Sequence, residues 1–262
     1  MKFQETSTLE QAVAPGALIL PGRTKPCEKL SGKYPALEEK NFVLRAFELL
    51  AKTRPMKNPL VLDVGTGAAK IPIRFVHQLS PANLVALDIS HAMLKKAREN
   101  IQAKRLTRKI FLVCADAERL PFRSGTFDLV CSHSLLRRLS DPLHYLEEIV
   151  RVTRKGCRFL IRDLRRPPLN LLDWYVRLFG MGLDGYRKKI FRESLLSGLN
   201  NRELKQLIRG VKGASCRASG FFITHIGLEG IRTKADLDPR REQRSPDKNT
   251  GGVELTLSGR LA

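Results

Sequence analysis

The sequence contains no apolar run that approaches the roughly 18 residues needed for a membrane-spanning helix. Its first residues also lack the basic start and long apolar stretch of a secretory signal. Cysteine is sparse, odd in number and scattered, and no pair of cysteines has the spacing of metal ligands. These absences predict a cytoplasmic protein that binds no metal.

Acidic residues are also few: 26 Asp and Glu stand against 47 Lys and Arg, which gives a net charge of +21. Between Arg151 and Arg192 the imbalance is steepest, with twelve basic residues against three Asp. Such a surface attracts nucleic acid, anionic lipid headgroups or an acidic substrate. The alternative is that these charges are ordinary solvated side chains.

The central part of the chain alternates between strand-like and helix-like segments. Strand patterns occur at 59–64, 83–88, 109–116, 127–132 and 157–163, and helix patterns at 37–51, 68–79, 90–104 and 141–155. The strands are continuous apolar runs, which indicates a parallel sheet buried on both faces. Ser90 is the predicted N-cap of one of these helices.

The two ends of the chain have a different character. Residues 1–36 are predicted to be irregular, because they carry several prolines and glycines. Beyond residue 165 we expect an apolar helix at 169–183, a polar-faced helix at 200–210 and a β pair at 215–228. The tail, 232–262, is predicted to be disordered, since KADLDPRREQRSPDKNTGG contains no aromatic residue and no aliphatic periodicity.

A glycine turn joins the first predicted strand to the following helix in VLDVGTGAAK, with glycines at Gly65 and Gly67. The turn does not complete the dinucleotide fingerprint G-x-G-x-x-G, because Lys70 occupies the position of the third glycine. A G-x-G sequence by itself is a weak signal, and the residues at the ends of the neighbouring strands decide its meaning.

Three acidic residues, Asp63, Asp88 and Asp116, lie at the carboxyl ends of the first three strands. Ligands bind outside these ends in an open parallel sheet, so we expect the three carboxylates to converge on one crevice. Asp88 lies 21 residues after Gly67, a position suited to the ribose hydroxyls. Three acids around a nucleotide favour a cationic ligand without phosphate.

Four successive motifs resemble those of a class I S-adenosylmethionine-dependent methyltransferase of the type 11 domain family. They are VLDVGTG, VALDISHAMLKKAREN, CADAERLPF and the long stretch from FDLVCSHSLL to RDLRRP. The resemblance implies a Rossmann-like, doubly wound α/β fold. Its sheet would have seven mostly parallel strands, helices on both faces and an antiparallel closing strand. The domain would span 37–231, with a cofactor-binding core at about 58–164 and a substrate or lid region at about 165–212.

The same resemblance implies a role for each matching residue. Asp63 would bind the methionine ammonium group of S-adenosylmethionine, Asp88 the ribose diol and Asp116 the adenine amino group. The full set of implied cofactor-binding residues is Asp63, Gly65, Thr66, Gly67, Asp88, Ile89, Asp116, Ala117 and Ser132. His133 would face the methionine end and the substrate, and is the candidate general base if the acceptor is protonated.

Two departures from the family concern the loop and the acceptor pocket. Ala69 stands where the family often has glycine, which we expect to cost little because no phosphate must approach. Arg137 and Arg138 replace a frequent pair of histidines after the fourth strand, so the usual substrate pocket is in doubt. The Asn/Asp-Pro-Pro-Tyr motif of nucleic-acid amino methylation is absent, which lowers the probability of a nucleic-acid substrate.

The acceptor remains open at this level. The apolar segment LNLLDWYVRLFGMGL, followed by basic residues, is a lid over an apolar acceptor, an interfacial patch on anionic lipid, or an ordinary helix covering the sheet. The favoured hypothesis is methyl transfer to a small-molecule or lipid-like acceptor. The alternatives are an RNA methyltransferase recruited through its basic surface and a non-catalytic cofactor-binding module.

Overall fold

The computed structural model describes residues 33–53, 58–78, 83–221 and 224–233. Within them seven strands form one sheet in the order β3-β2-β1-β4-β5-β7-β6. The strands are β1 (Leu60–Val64), β2 (Asn83–Asp88), β3 (Ile110–Cys114), β4 (Phe127–His133), β5 (Thr153–Leu164), β6 (Ala214–Phe221) and β7 (His225–Arg232). β1 to β5 are parallel, and β7 runs antiparallel to both β5 and β6. The predicted Rossmann-like α/β sheet is confirmed.

Helices cover both faces of this sheet. They are α1 (Lys33–Ala51), α2 (Lys70–Gln78), α3 (His91–Ala103), α4 (Pro142–Val152), α5 (Leu172–Phe179), α6 (Gly185–Leu196) and α7 (Asn201–Gly210). Alternate strand residues face opposite cores: Val61 packs in the core with residues of α1, α2 and α3, whereas Leu62 packs in the core with residues of α4 and α7. Ser90 is the N-cap of α3, as predicted, and its side chain accepts a hydrogen bond from the amide of Met93.

The boundaries of two helices differ from the prediction. The helix expected at residue 37 begins at Lys33, because Pro35 lies in its first turn, where a missing amide hydrogen costs no helical hydrogen bond. The helix expected over 141–155 ends at Val152, and β5 begins at Thr153. Residues 154–156 extend β5 but are exposed, so their polar sequence gives no sign of a strand.

The region after β5 contains a helix, α6, that the sequence analysis did not predict. Only Phe191 and Leu195 of this helix are buried, so its apolar periodicity is weak. One signal was present: Asp184 is its N-cap and accepts a hydrogen bond from the amide of Arg187. The apolar helix expected at 169–183 is shorter than predicted, with a 3-10 turn at Leu169–Leu171 followed by α5. α5, α6 and Leu164 share a small apolar core of their own.

The closing β pair forms as expected, with β7 lying between β5 and β6. β7 ends at Arg232, one residue inside the tail predicted to be disordered. The predictions for residues 1–32 and 234–262 lie outside the described residues. No helix in the described part of the chain is long and apolar enough to cross a membrane.

Gly230 allows β7 to pack closely on β5. A Cβ atom at this position would lie 2.1 Å from Cζ of the buried Phe159, its pairing partner on β5. We expect Gly230→Ala to lower the free energy of unfolding by about 1–3 kcal/mol, because the ring and both strands must move apart. Urea denaturation measures this. The control is Gly185→Ala, whose new methyl group meets no atom within 4 Å; equal stabilities of the two variants would contradict the packing argument.

Candidate active site

The strand ends that matter for function meet at one edge of the sheet. In the parallel register Val64 lies opposite Leu87 of β2 and Ser132 of β4. β7 is antiparallel, so its first residue, His225, pairs with Leu164 at the end of β5 and lies at the same edge. A cavity of about 540 Å³ opens there. This volume is within the range of small-molecule sites, roughly 300–1,000 Å³.

The glycine turn forms one wall of this cavity. Gly65 and Gly67 both have left-handed backbone conformations, with φ of +78° and +57°. The amides of Gly65 and Thr66 donate hydrogen bonds to the carbonyl oxygen of Leu87, at 2.8 and 2.9 Å. The amide of Gly67 donates to Oδ2 of Asp88 at 2.8 Å. The end of β2 therefore fixes the shape of the loop that follows β1.

Ala69 also has a left-handed backbone, with φ of +58°, and its side chain is fully buried. The expectation that alanine costs little here rested on the absence of a phosphate, and the structure shows a different reason for the family's glycine. A left-handed alanine costs roughly 1–2 kcal/mol in backbone conformation, which a glycine would avoid.

Asp88 and Asp116 both lie on the cavity wall. Asp88 accepts a hydrogen bond from the amide of Ser90 at 2.9 Å in addition to that of Gly67. Asp116 accepts one from the amide of Glu118 at 2.9 Å. Ile89 and Ala117, the next residues after these two acids in sequence, also line the cavity. The structure thus brings together most of the residues predicted to bind the cofactor.

Asp63 and Ser132 are the exceptions, because they lie beneath the cavity wall. Ser132 is fully buried and donates a hydrogen bond to the carbonyl oxygen of Val64 at 3.0 Å. Asp63 is 2% exposed, and its Oδ2 has no hydrogen-bond partner in the described part of the chain. Burial raises the pKa of Asp63 to about 7, with Thr66 lowering it and the charge of Asp88 adding to the rise. A cation in the cavity would favour the charged carboxylate.

His133 lies on the opposite side of the cavity, at the end of β4. Its Nδ1 is 3.1 Å from Oγ of Ser134, and its Nε2 is buried with no hydrogen-bond partner among the described residues. Burial lowers the pKa of His133 well below its usual value, and the neighbouring His225, Arg162 and Arg137 lower it further. The imidazole is therefore neutral at physiological pH.

Several polar residues on this side were not predicted to belong to the site, among them Glu38 of α1, Arg137 and His225 of β7. Arg137 was noted only as a departure from the family, and it forms an ion pair with the buried Asp163. No sequence signal marks Glu38 or His225, because both lie outside the motifs and reach the site only through the packing of α1 and β7. On the α6 side the wall is more apolar, with Leu164, Ile190 and Phe191.

The central part of the chain matches a known protein family. Residues 62–161 match the family described as "Methyltransferase domain". Residues 62–161 are thus similar to a class I S-adenosylmethionine-dependent methyltransferase domain. The match includes β1 to β4 but not α1, β6 or β7. It therefore covers the glycine turn and the acids at the strand ends, and leaves out Glu38 and His225 on the other side of the cavity.

Two curated relatives are quinone-pathway enzymes. Demethylmenaquinone methyltransferase of Lactiplantibacillus plantarum is 32% identical over 142 residues, which are 51% of this chain and 60% of that protein. The ubiquinone/menaquinone biosynthesis C-methyltransferase UbiE of Pseudomonas aeruginosa is 33% identical over 114 residues, which are 43% of this chain and 44% of that protein. The chain thus spans about half the length of the curated relatives it matches.

Solved structures confirm the fold of the methyltransferase domain. The plantazolicin methyltransferase BamL, in complex with a substrate analogue and SAH, has a TM-score of 0.61 at 15% identity, over 77% of this chain and 87% of that one. A SAM-dependent methyltransferase from Aquifex aeolicus has a TM-score of 0.55 at 16% identity, over 76% of this chain and 98% of that one.

The residues present fit S-adenosylmethionine, the cofactor of this family. Asp63 supplies a buried carboxylate oxygen that no described residue partners, and Asp88 and Asp116 add two further acids at the same edge. A positively charged sulfonium and ammonium would be favoured in such surroundings. The loop at Gly65–Gly67 exposes backbone close to the cavity, as a ligand held by main-chain contacts requires.

The raised pKa of Asp63 gives a direct test of its role. A carboxyl group with a pKa of about 7 is largely protonated at pH 6.5, and a cationic ligand should drive that proton off. We expect up to about 0.7 proton to be released per S-adenosylmethionine bound at pH 6.5, and much less in Asp63→Asn. Calorimetry in buffers of different ionisation enthalpy measures the release. Asp173→Asn, which changes an exposed aspartate, is the control; release that persists in Asp63→Asn would contradict the assignment.

Proposed function

We propose that the chain is an S-adenosylmethionine-dependent methyltransferase that methylates a small, lipid-like acceptor. The observation that carries the proposal is that a single cavity has two chemically different sides. Acids and glycine backbone line it at the ends of β1 to β3, whereas imidazoles, apolar side chains and the ion-paired Arg137 line it near the ends of β4, β5 and β7. A cavity of this form can hold a cationic nucleoside next to an uncharged acceptor.

The role of each cofactor-binding residue is assigned from its position at the cavity. Asp88 would bind the ribose, Asp116 and the amide of Ala117 the adenine, and Ile89 would pack on the adenine ring. Asp63 would act on the ammonium group from below the wall. Gly65, Thr66 and Gly67 would contact the methionine part through their backbone, with Ser132 fixing the end of β4 beneath it.

S-Adenosylmethionine supplies an electrophilic methyl group on a positively charged sulfur. The protein therefore has mainly to align the acceptor atom with that methyl group, and such positioning can supply roughly 7–11 kcal/mol of the barrier. His133 is the proposed contact that accepts a hydrogen bond from the acceptor, because its side chain lines the cavity and its neutral Nε2 has no partner among the described residues.

The class of acceptor is supported by the apolar side of the cavity and by the two quinone-pathway relatives. Leu164, Ile190 and Phe191 offer an apolar surface of the kind that an aromatic ring or isoprenoid tail would cover. A demethylated quinol is therefore the first acceptor to test.

An anionic lipid surface is the proposed source of that acceptor. α5 and the turns on either side of it expose large apolar side chains: Leu169 is 73% exposed, Trp174 52% and Met181 73%. Over 165–192 seven Lys and Arg accompany two Asp. Apolar side chains ringed by cations are typical of interfacial binding. α6, which carries Ile190 and Phe191 on the cavity wall, packs against α5.

Transfer of a labelled methyl group tests the activity. Purified protein, methyl-labelled S-adenosylmethionine and a short-chain demethylmenaquinol should yield label in the solvent-extractable fraction. His133→Ala should lower the rate at least tenfold with the cofactor dissociation constant within about twofold, because a hydrogen bond to the acceptor alone is lost. His77→Ala, which changes an exposed histidine on α2, is the control.

In a total cell extract, label in RNA would favour the RNA methyltransferase alternative, and cofactor binding without any transfer would favour the non-catalytic one.

Sedimentation with vesicles tests the lipid surface. The protein should bind vesicles of phosphatidylglycerol and phosphatidylcholine at low salt, and the double variant Trp174→Glu, Met181→Glu should bind at least about tenfold more weakly, since it places two charges on the apolar patch. Leu44→Glu, at an exposed apolar position on α1, is the matched control. Equal binding by the two variants, or no binding by the unchanged protein, would contradict this part of the proposal.

A further inference from the structure

A buried group of polar side chains lies on the side of the cavity formed by β4, β5 and β7, the proposed acceptor side, and three of its four members are outside residues 62–161, which match the methyltransferase family. It consists of Glu38, His133, Arg162 and His225, and we call it the Glu38 cluster. Each member comes from a different element: α1, β4, β5 and β7. Glu38, His133 and His225 line the cavity, and Arg162, which is 1% exposed, lies behind them.

Glu38 is the least satisfied member of the cluster. Its side chain is 2% exposed, and neither carboxylate oxygen has a hydrogen-bond partner in the described part of the chain. Its nearest charged or ionisable neighbours are Nη1 of Arg162 at 3.6 Å and Nδ1 of His225 at 3.9 Å. A buried carboxylate of this kind is costly unless its oxygens find donors, and taking up a proton removes that cost.

The two imidazoles connect Glu38 to the end of β4. The rings of His133 and His225 are stacked, with their centroids 6.1 Å apart. The rings of His133 and Phe42 form an edge-to-face pair, with their centroids 5.0 Å apart. Nδ1 of His225 is also 2.9 Å from Oγ1 of Thr224. The His225 ring therefore lies between the His133 ring and the Glu38 carboxylate.

We propose that Glu38 is the final acceptor of the proton that the methyl acceptor loses, with His225 as the imidazole that passes it on, so that α1 and β7 complete the catalytic site. This inference rests on the proposed methyltransferase function and adds to it a proton-transfer path and a class of acceptor, one with an acidic O–H or C–H. The proton goes to the carboxylate of Glu38. The electron pair left on the acceptor forms the new bond to the methyl carbon, while the pair of the breaking carbon–sulfur bond stays on sulfur.

Electrostatics explain why the proton should end on a carboxylate and not on a histidine. Arg162 of β5 is the charged neighbour of Glu38, while the Arg137–Asp163 pair lies at the ends of β4 and β5 and the Arg45–Glu229 pair joins α1 to β7 further along. Burial lowers the pKa of His225 to about 3, and the guanidinium groups of Arg162 and Arg137 add to this shift because they oppose an imidazolium. Burial raises the pKa of Glu38, while Arg162 lowers it. A protonated, neutral Glu38 relieves the burial of its charge.

The test compares Glu38→Gln with Glu48→Gln, which makes the same change at an exposed position of the same helix. With the short-chain demethylmenaquinol as probe, kcat of Glu38→Gln should fall about 100-fold or more, its dependence on pH should flatten, and its cofactor dissociation constant should stay within about twofold. Glu38→Asp should keep intermediate activity, because it retains a carboxylate. His225→Gln should lose at least tenfold.

A second readout does not depend on turnover. In protein labelled with ¹³C at glutamate side-chain carboxyls, one signal, absent from Glu38→Gln, should titrate at higher pH than the others and shift when the quinol is added. If Glu38→Gln does not fold, as its cofactor affinity will show, Glu38→Asp, His225→Gln and this titration decide the matter.

The two proposals fail in different ways. A wild-type enzyme that labels an extract component but not the quinol contradicts the quinol acceptor alone, and Glu38→Gln is then assayed on the extract. Equal rates and equal pH profiles for Glu38→Gln and Glu48→Gln overturn the role of Glu38 alone. Absence of transfer in both assays overturns both proposals.

Discussion

The register of β7 against β5 determines which side chains reach the acceptor side of the cavity. β5 pairs with β4 so that Arg162 lies opposite His133, and with β7 so that Leu164 lies opposite His225. A slip of one residue would turn every side chain of β7 to the other face. The close contact of Gly230 with Phe159 restricts such a slip, because only a residue without a Cβ fits at that pair.

Buried charge attaches α1 to this part of the sheet. Arg162 lies 5.4 Å from the centroid of the Phe42 ring and 3.6 Å from Glu38, and both partners belong to α1. At the outer end of the same contact Arg45 donates two hydrogen bonds to Glu229 of β7, each 2.7 Å long. Removing one member of a buried ion pair leaves a charge without compensation, which is far more costly than losing an exposed pair. The helix is therefore part of the cavity wall and of the fold at once.

The sequence was sufficient to predict what depends on local pattern. Apolar runs located the strands, and acids at their ends, such as Asp88 and Asp116, predicted where they would meet, because parallel strands end at one edge. Glu38 and His225 could not be predicted in this way, since they lie far from the glycine loop in sequence and join the site only by helix packing and antiparallel pairing. α6 escaped detection for a related reason: its contacts are with α5 and the end of β5, so only Phe191 and Leu195 carry the apolar signal. The burial of Asp63 beneath the cavity wall could not be predicted either, because a residue at a strand end has the same sequence signature on the wall and beneath it.

The two sides of the cavity differ in their charge, and this constrains the proposed chemistry. Carboxylates at the ends of β1 to β3 favour a cation, whereas Arg137 and Arg162 beside β4 and β5 already face carboxylates, Asp163 and Glu38. Transfer of a methyl group from a sulfonium to an anionic acceptor removes charge from both, so the transition state is less charged than the reactants. Fixed charges that stabilise the separated ions therefore do little to lower the activation barrier. Alignment of the two partners must supply most of the rate acceleration. An acceptor that binds uncharged and loses its proton to a nearby carboxylate only as the new bond forms avoids burying an anion at all.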